Sequence, residues 1–370
     1  MANANVDLLG LQGGGQGDLA NYVSSQGRVD PGELRPFIGK DGKPYVQVYI
    51  GGDASNPANY KVRPINTNAT LRRDEWKRLD DAVLGISETR LGGVQDLITN
   101  GLTYNLGNAM GTTVFEWHDS SDALEAEVTM DGINRAVNDR VEFQHNYLPI
   151  PIIHADFEIN ARALAASRNM GNPLDTIMAE RAARKVNYKL EQMLFTNTTF
   201  AYGATDSRAR NSIYSYVNHP DRNQYTLPLA WTNAAITGAL IMTDIRGMKQ
   251  ACLTAMHYGP SWMLYIPTAY ETVMDLDYDP TAPDGTTVRE RILKIGGIKG
   301  IKVIDTLPAN NVLLVQMTSD VVRLINGLGL QSVQWSEEGK FVSKYKVLAI
   351  QVPQIRSDRD GNSGVVHATT

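Results

Sequence analysis

Six histidines, one cysteine and a few acidic and glycine clusters are the residues of this chain whose types could do chemistry. The histidines, at 118, 145, 154, 219, 257 and 367, never stand at the spacing that places two imidazoles on one helix face for zinc, and a single cysteine cannot build a thiolate cluster. Asp275, Asp277 and Asp279 alternate like the head of a calcium loop, but such a loop wants glycine where Pro280 stands and a bidentate glutamate where Thr286 stands. They read as a solvated loop. The glycines at 13–17 and Gly296-Gly297 could offer bare N–H groups to a phosphate. The first cluster follows no strand and lacks the Gly-Lys-Ser/Thr ending, and the second sits where glycine ordinarily stops a helix. No Gly-x-Ser-x-Gly elbow and no catalytic triad can be assembled. The expectation is a chain with no catalytic residues, no cofactor and no metal, in which Cys252 is a small core residue.

What remains is charge suited to docking. Asp131, Arg135, Asp139 and Arg140 lie near the tip of a long hairpin read over residues 112–147, with Asp131-Gly132 as its turn. They serve either as a solvated turn or as inter-subunit contacts, since complementary charges steer docking and reject wrong partners. The hairpin rests on period-two alternation in Val114, Glu116 and His118, in Val128 and Met130, and in Val141, Phe143, His145 and Tyr147. Two strands alone are marginal in water. With about half its side chains polar the hairpin must lean on its own domain or on a neighbouring subunit.

Behind it stands a rod. Asn172-Pro173 has the cap-then-proline signature of a helix start, and Leu174, Ile177, Met178, Ala182, Val186, Leu190, Met193 and Leu194 form one apolar stripe over 173–195. Glu180, Arg181, Arg184, Lys185 and Lys189 occupy the other face. Such a helix spans about 30 Å.

The remaining organisation follows from composition and periodicity. Residues 1–66 read as an extended arm rich in glycine and proline, with one short strand at Tyr45–Ile50. A helical segment, 67–111, is capped by Asn68 or Thr70 and interrupted at Gly92-Gly93, with Trp76, Leu79, Val83, Leu84 and Ile86 as its apolar side. Residues 148–160 read as one proline-punctuated strand at an edge or strand start, within a region 148–229 that carries the long helix. From 230 to 356 helices (234–256, 288–293) alternate with apolar strands (262–267, 301–306, 312–317, 345–353), an α+β lobe. Residues 357–370 read as a loose polar tail. A length of 370 residues with 42% hydrophobic content allows a sizeable core in two or three lobes. The lone cysteine excludes an intramolecular disulfide framework and fits a reducing cytoplasm. MANANVDLLGLQGGG lacks the basic and apolar regions of a secretory signal, and no eighteen apolar residues run together. The net charge of −5 lacks the basic stripe of a sequence-reading DNA-binding domain, without excluding a container that touches nucleic acid loosely.

Several blocks, in this order, resemble the Hong Kong 97 type major capsid proteins of tailed phages, in particular their encapsulin-like branch. They are NATLRRDEWKRLDDAVL (68–84), GLTYNLGNAMGTTVFEW (101–117), EAEVTMDGINRAVNDR (125–140), LPIPIIHADFEINARALAASR (148–168), IYSYVNHPDRNQ (213–224), HYGPSWMLYIPTAYE (257–271), RERILKIGGIKGIKV (289–303) and VLAIQVPQIRS (347–357). The resemblance implies an N-terminal arm, an E-loop at 112–147, a peripheral domain whose spine is the long helix, and an axial domain from about 230. It also implies self-assembly into pentamers and hexamers of an icosahedral shell in the host cytoplasm. The shell would enclose double-stranded DNA, with scaffolding, portal or decoration proteins as further partners. An encapsulin-type nanocompartment holding a cargo enzyme is the alternative. The sequence departs from the founding member in having no long charged scaffolding region ahead of the arm. It also has no lysine in 112–147, which makes a covalent cross-link at that loop unexpected.

Overall fold

The computed structural model describes residues 35–50, 57–65, 71–87, 92–107, 109–120, 143–169, 176–197, 200–202, 212–254, 259, 261–278, 285–338, 341–358 and 361–370. The order of elements is β1 (Phe37–Ile38), β2 (Pro44–Tyr49), β3 (Tyr60–Pro64), α1 (Arg73–Ser87), α2 (Gly92–Thr99), β4 (Thr103–Asn105), β5 (Val114–Ser120), β6 (Phe143–Pro149) and β7 (Ile153–Asn160). Then come α3 (Ala161–Asn169), α4 (Ile177–Phe195), β8 (Phe200–Ala201), β9 (Ser212–Ile213), β10 (Asn223–Thr226), α5 (Gly238–Thr254), β11 (Trp262–Pro267), α6 (Glu271–Met274) and α7 (Val288–Leu293). The chain closes with β12 (Ile298–Ile304), β13 (Asn311–Gln316), β14 (Val322–Glu338), β15 (Val342–Ile355) and β16 (Val365–Thr369).

A five-stranded sheet in the order β10-β16-β13-β11-β12 forms one half, with β11–β12 and β10–β16 parallel and the other pairs antiparallel. Both its faces are buried. Trp262, Leu264, Ile266, Val312 and Leu314 point to the core beneath α5, α6 and α7, while Met263, Tyr265, Leu313 and Val315 point to the core of the other half. This is why these strands read as unbroken apolar runs, as strands covered on both faces do. Residues 357–370, expected as a loose tail, contain β16 inserted between β10 and β13, with Val365, Val366 and Ala368 fully buried. Only five residues of strand follow a polar stretch, so the local pattern is too short to announce a central strand.

The other half is built on a four-stranded sheet, β4-β14-β15-β7, dominated by the long β14–β15 hairpin. Helix α4 packs against β7 and β15, and α1 and α2 pack against α4. The helix is assigned from Ile177, not from residue 173, and the expected cap at Asn172-Pro173 falls outside the described residues. Its buried face carries Ala179, Ala182, Ala183, Val186, Leu190, Met193, Leu194 and Phe195, whereas Ile177 and Met178 of the expected stripe are about half exposed. Gly92 and Gly93 do not interrupt a helix but open α2. A Cβ on Gly93 would stand 2.3 Å from the Phe195 ring, so only glycine lets α2 approach α4 this closely. Helix α1 begins at Arg73. The Arg72 N–H is taken by the Glu75 carboxylate at 2.8 Å, one half of a capping box, while Asn68 and Thr70 lie outside the description.

Two further expectations change. The strand read over 148–160 is two strands, β6 and β7, parted at residues 150–152, where Pro151 supplies no N–H to a ladder. Residues 37–64 hold a three-stranded antiparallel sheet, β1-β2-β3, not one strand. Its Val46 and Val48 pack on Val333 and Leu348. Among the described residues no helix is long and apolar enough to cross a membrane.

Candidate functional site

The described residues hold no group of three or more His, Cys, Asp or Glu placed to take a metal ion. Cys252 is buried and its thiol is pushed up to about 12 by desolvation, which makes it a poor nucleophile. Asp275 pairs with Arg289 at 3.2 Å, and Asp279 lies outside the description. Gly297, at φ 91°, turns the chain from α7 into β12, the helix-stop role read from its position. A cleft of about 1290 Å³ between β1–β3 and α1 is lined by Arg35, Phe37, Lys40, Tyr60, Arg73 and Trp76 among others. Arg35 is spent structurally there, 2.6 Å from Asp80 and 4.7 Å above the Trp76 ring.

The hairpin is the element with surface to offer. Strands β5 and β6 pair antiparallel from Val114↔Pro149 to Ser120↔Phe143 and, among the described residues, join no larger sheet. At the root one face turns inward: Phe115 and Trp117 stack at 6.1 Å, Tyr104 meets Phe115 at 5.2 Å, and Asn146 and Leu148 are buried. The root therefore rests on its own chain. Farther out, His118 and His145 face each other across the ladder, ring centroids 4.3 Å apart and both exposed. Residues 121–142 lie outside the described residues, and with them Asp131, Arg135, Asp139 and Arg140. The structure neither brings these four together nor separates them.

A buried polar joint ties α4 to α2 and to the five-stranded sheet. Glu191 on α4 accepts the backbone N–H of Gly93 at 3.0 Å and of Val94 at 3.5 Å, capping the first turn of α2. On the same helix Asp96 accepts the Tyr265 hydroxyl of β11 at 2.9 Å and the Lys302 ammonium of β12. Burial pushes the Glu191 carboxyl above its usual range, partly offset by the two N–H donors. Burial likewise raises the Tyr265 and Tyr216 hydroxyls. Nothing local in the sequence marks this joint, because Glu191 and Gly93 stand 98 residues apart. The one available signal is a glutamate set directly beside Leu190 on the helix's apolar side. Chemically the joint holds the two halves of the chain in one arrangement and offers no surface to a substrate.

A family model described as a family of unknown function, DUF6260, matches residues 66–368. No curated protein matches the chain. Among solved structures, the chain is similar to the capsid of Myoviridae Phage XM1, with TM-score 0.57 and 10% identity over 75% of this chain and 92% of that one. It is also similar to a virus-like particle from Pyrococcus furiosus, with TM-score 0.54 and 17% identity over 79% of this chain and 98% of that one. At such identities the likeness is one of fold, and the fold is the α+β Hong Kong 97 type.

Proposed function

The chain belongs to the family of unknown function DUF6260, and from its fold we propose that it is the major capsid protein of a tailed double-stranded DNA phage. The observation that carries this reading is a match to capsid-forming folds that takes in nearly the whole of each neighbouring chain. In this reading β5 and β6 are the root of an E-loop, α4 is the spine helix of a peripheral domain, and the five-stranded sheet with α5–α7 forms the axial domain. Residues 1–66 form the arm. The protein acts by assembling and has no enzymatic role.

The mechanism is that of a closed shell. One heterologous contact repeated about rotational axes closes into pentamers and hexamers, and then into a container. Each subunit reaches its neighbours through arm, E-loop, peripheral edge and axial loops at once, so modest contacts add to an avidity that none has alone. With no lysine in 112–147, strength at the loop comes from non-covalent overlap. Assembly takes place in the bacterial host cytoplasm and the finished subunit resides in the virion, with scaffolding, portal and decoration proteins as accessory partners. A nanocompartment shell around a cargo enzyme is a second reading, supported by the likeness to the archaeal virus-like particle.

Electron microscopy of the protein expressed alone tests the two together. Large icosahedral shells, or tubes and irregular shells that a partner corrects, are the outcome expected of the phage capsid. Small uniform shells purified with a host enzyme inside would transfer the reading to the nanocompartment. A subunit that stays monomeric with and without a co-expressed scaffold would remove both.

A further inference from the structure

Helix α4 buries one face completely and leaves the other bare. On the bare face Arg181, Arg184, Lys185 and Lys189 are all exposed, and among the described residues none forms an ion pair with a carboxylate. The helix has two carboxylates of its own. Glu191 is turned into the buried joint, and Glu180, at the first turn, takes the Thr176 hydroxyl at 3.0 Å. At 1.5 Å per residue the four cations make a row about 12 Å long. Tyr188, 46% exposed, stands among them with a hydroxyl able to reach a phosphate oxygen. Ile177 and Met178 are exposed only at the N-terminal end of the helix, ahead of the row.

Like charges four residues apart, as at 181, 185 and 189, destabilise a helix, and among the described residues no carboxylate forms an ion pair with any of the three. The row is also not a by-product of general basicity, since the chain carries a net charge of −5. We infer that the exposed face of α4 is the surface that meets packaged DNA, holding the phosphate backbone through Arg181, Arg184, Lys185 and Lys189 without reading sequence. This rests on the capsid reading and deepens it, because a container of protein cargo has no use for a polyphosphate-binding wall. Four point charges on a smooth helix, with no element entering a groove, suit contact with any sequence.

The test is titration of the full-length, unassembled protein with a random-sequence DNA duplex, followed by fluorescence anisotropy at several salt concentrations. Four phosphate contacts at a slope of ~0.9 each predict that affinity falls about a hundredfold between ~50 and ~200 mM salt. The quadruple variant Arg181→Gln, Arg184→Gln, Lys185→Gln, Lys189→Gln is expected to lose nearly all of that slope. Arg181→Lys with Arg184→Lys keeps it, and the single variant Arg181→Gln, the least perturbing, loses about one unit. No binding by the parent at low salt, or an unchanged slope in the glutamine variants, would overturn the inference. So would a folded quadruple variant that no longer forms shells while the parent does. That result would make the face a subunit interface, with the acidic segment 121–142 of a second copy as its occupant. Because shells are scored by microscopy and DNA by anisotropy, shells without α4-dependent binding sink this inference alone. A parent that never forms shells sinks the capsid reading instead.

Discussion

His367 shows how a residue with no functional look can govern stability. Its Nδ1 accepts from Arg222 Nε at 3.1 Å and its Nε2 lies 2.6 Å from Asn311 Oδ1, an arrangement that fits a neutral ring donating from Nε2. Burial, with the Arg222 charge adding to it, lowers its pKa from 6.5 to about 4. The folded state therefore resists a proton that the unfolded state accepts, so the stability that this ring contributes is lost as pH falls from 6.5 to about 4, and the ring adds no further change below that. The loss amounts to at most about 3 kcal/mol. Denaturant unfolding of the unassembled subunit across this window checks it: His367→Gln should show the flatter profile, and parallel profiles would refute the assignment. At this scale Cys252 was legible, because a lone cysteine in an apolar context is ordinarily core. His367 and Glu191 were not, since their partners stand 145 and 98 residues away in sequence.

Among the elements, β16 carries the plainest consequence. It supplies both neighbours of the five-stranded sheet with a ladder and buries Val365 and Val366 completely. Each buried valine contributes about 1.5–3 kcal/mol, against a whole-domain stability of about 5–15 kcal/mol. A chain ending at Gly364 should thus be insoluble or lose its cooperative thermal transition; an unchanged melting temperature would mean that the strand is dispensable. The hairpin behaves oppositely. Its root packs on its own chain through Phe115 and Trp117, so deleting Leu124 to Asn138 should leave a folded subunit that cannot assemble. Normal shells from that deletion would remove the E-loop role. Helix α7 and strands β11 and β13 were legible to within a residue, because their apolar runs are bounded by clear caps and turns. Strand β14 was not, since Gly327 and Gly329 and three register shifts break its alternation.

For the whole molecule, the two halves share a core: Met263, Tyr265 and Val315 of the five-stranded sheet lie in the same cluster as Val186 and Leu190 of α4. Sharing one core ties the two halves to each other over a buried apolar surface. At that scale Arg135 and Arg140 are proposed to form inter-subunit ion pairs. Replacing both by alanine should weaken shells more at low than at high salt, because screening at ~1 M already removes such pairs beyond ~3 Å. Equal weakening at both salt concentrations in a shell-dissociation assay would argue against pairing. By itself the sequence determined the helical period of α4, the alternation of β5 and β6, the lack of any motif built for catalysis, and an order of blocks that resembles one capsid fold, all of which are local or linear properties. Only the tertiary structure decided that the last strand lies inside a sheet, that the hairpin's root leans inward, that Glu191 caps a helix on another part of the chain, and that four cations of α4 form no ion pair with a carboxylate among the described residues. Each of those depends on which distant backbone comes to lie alongside, and burial and charge pairing are set by that proximity rather than by spacing along the chain.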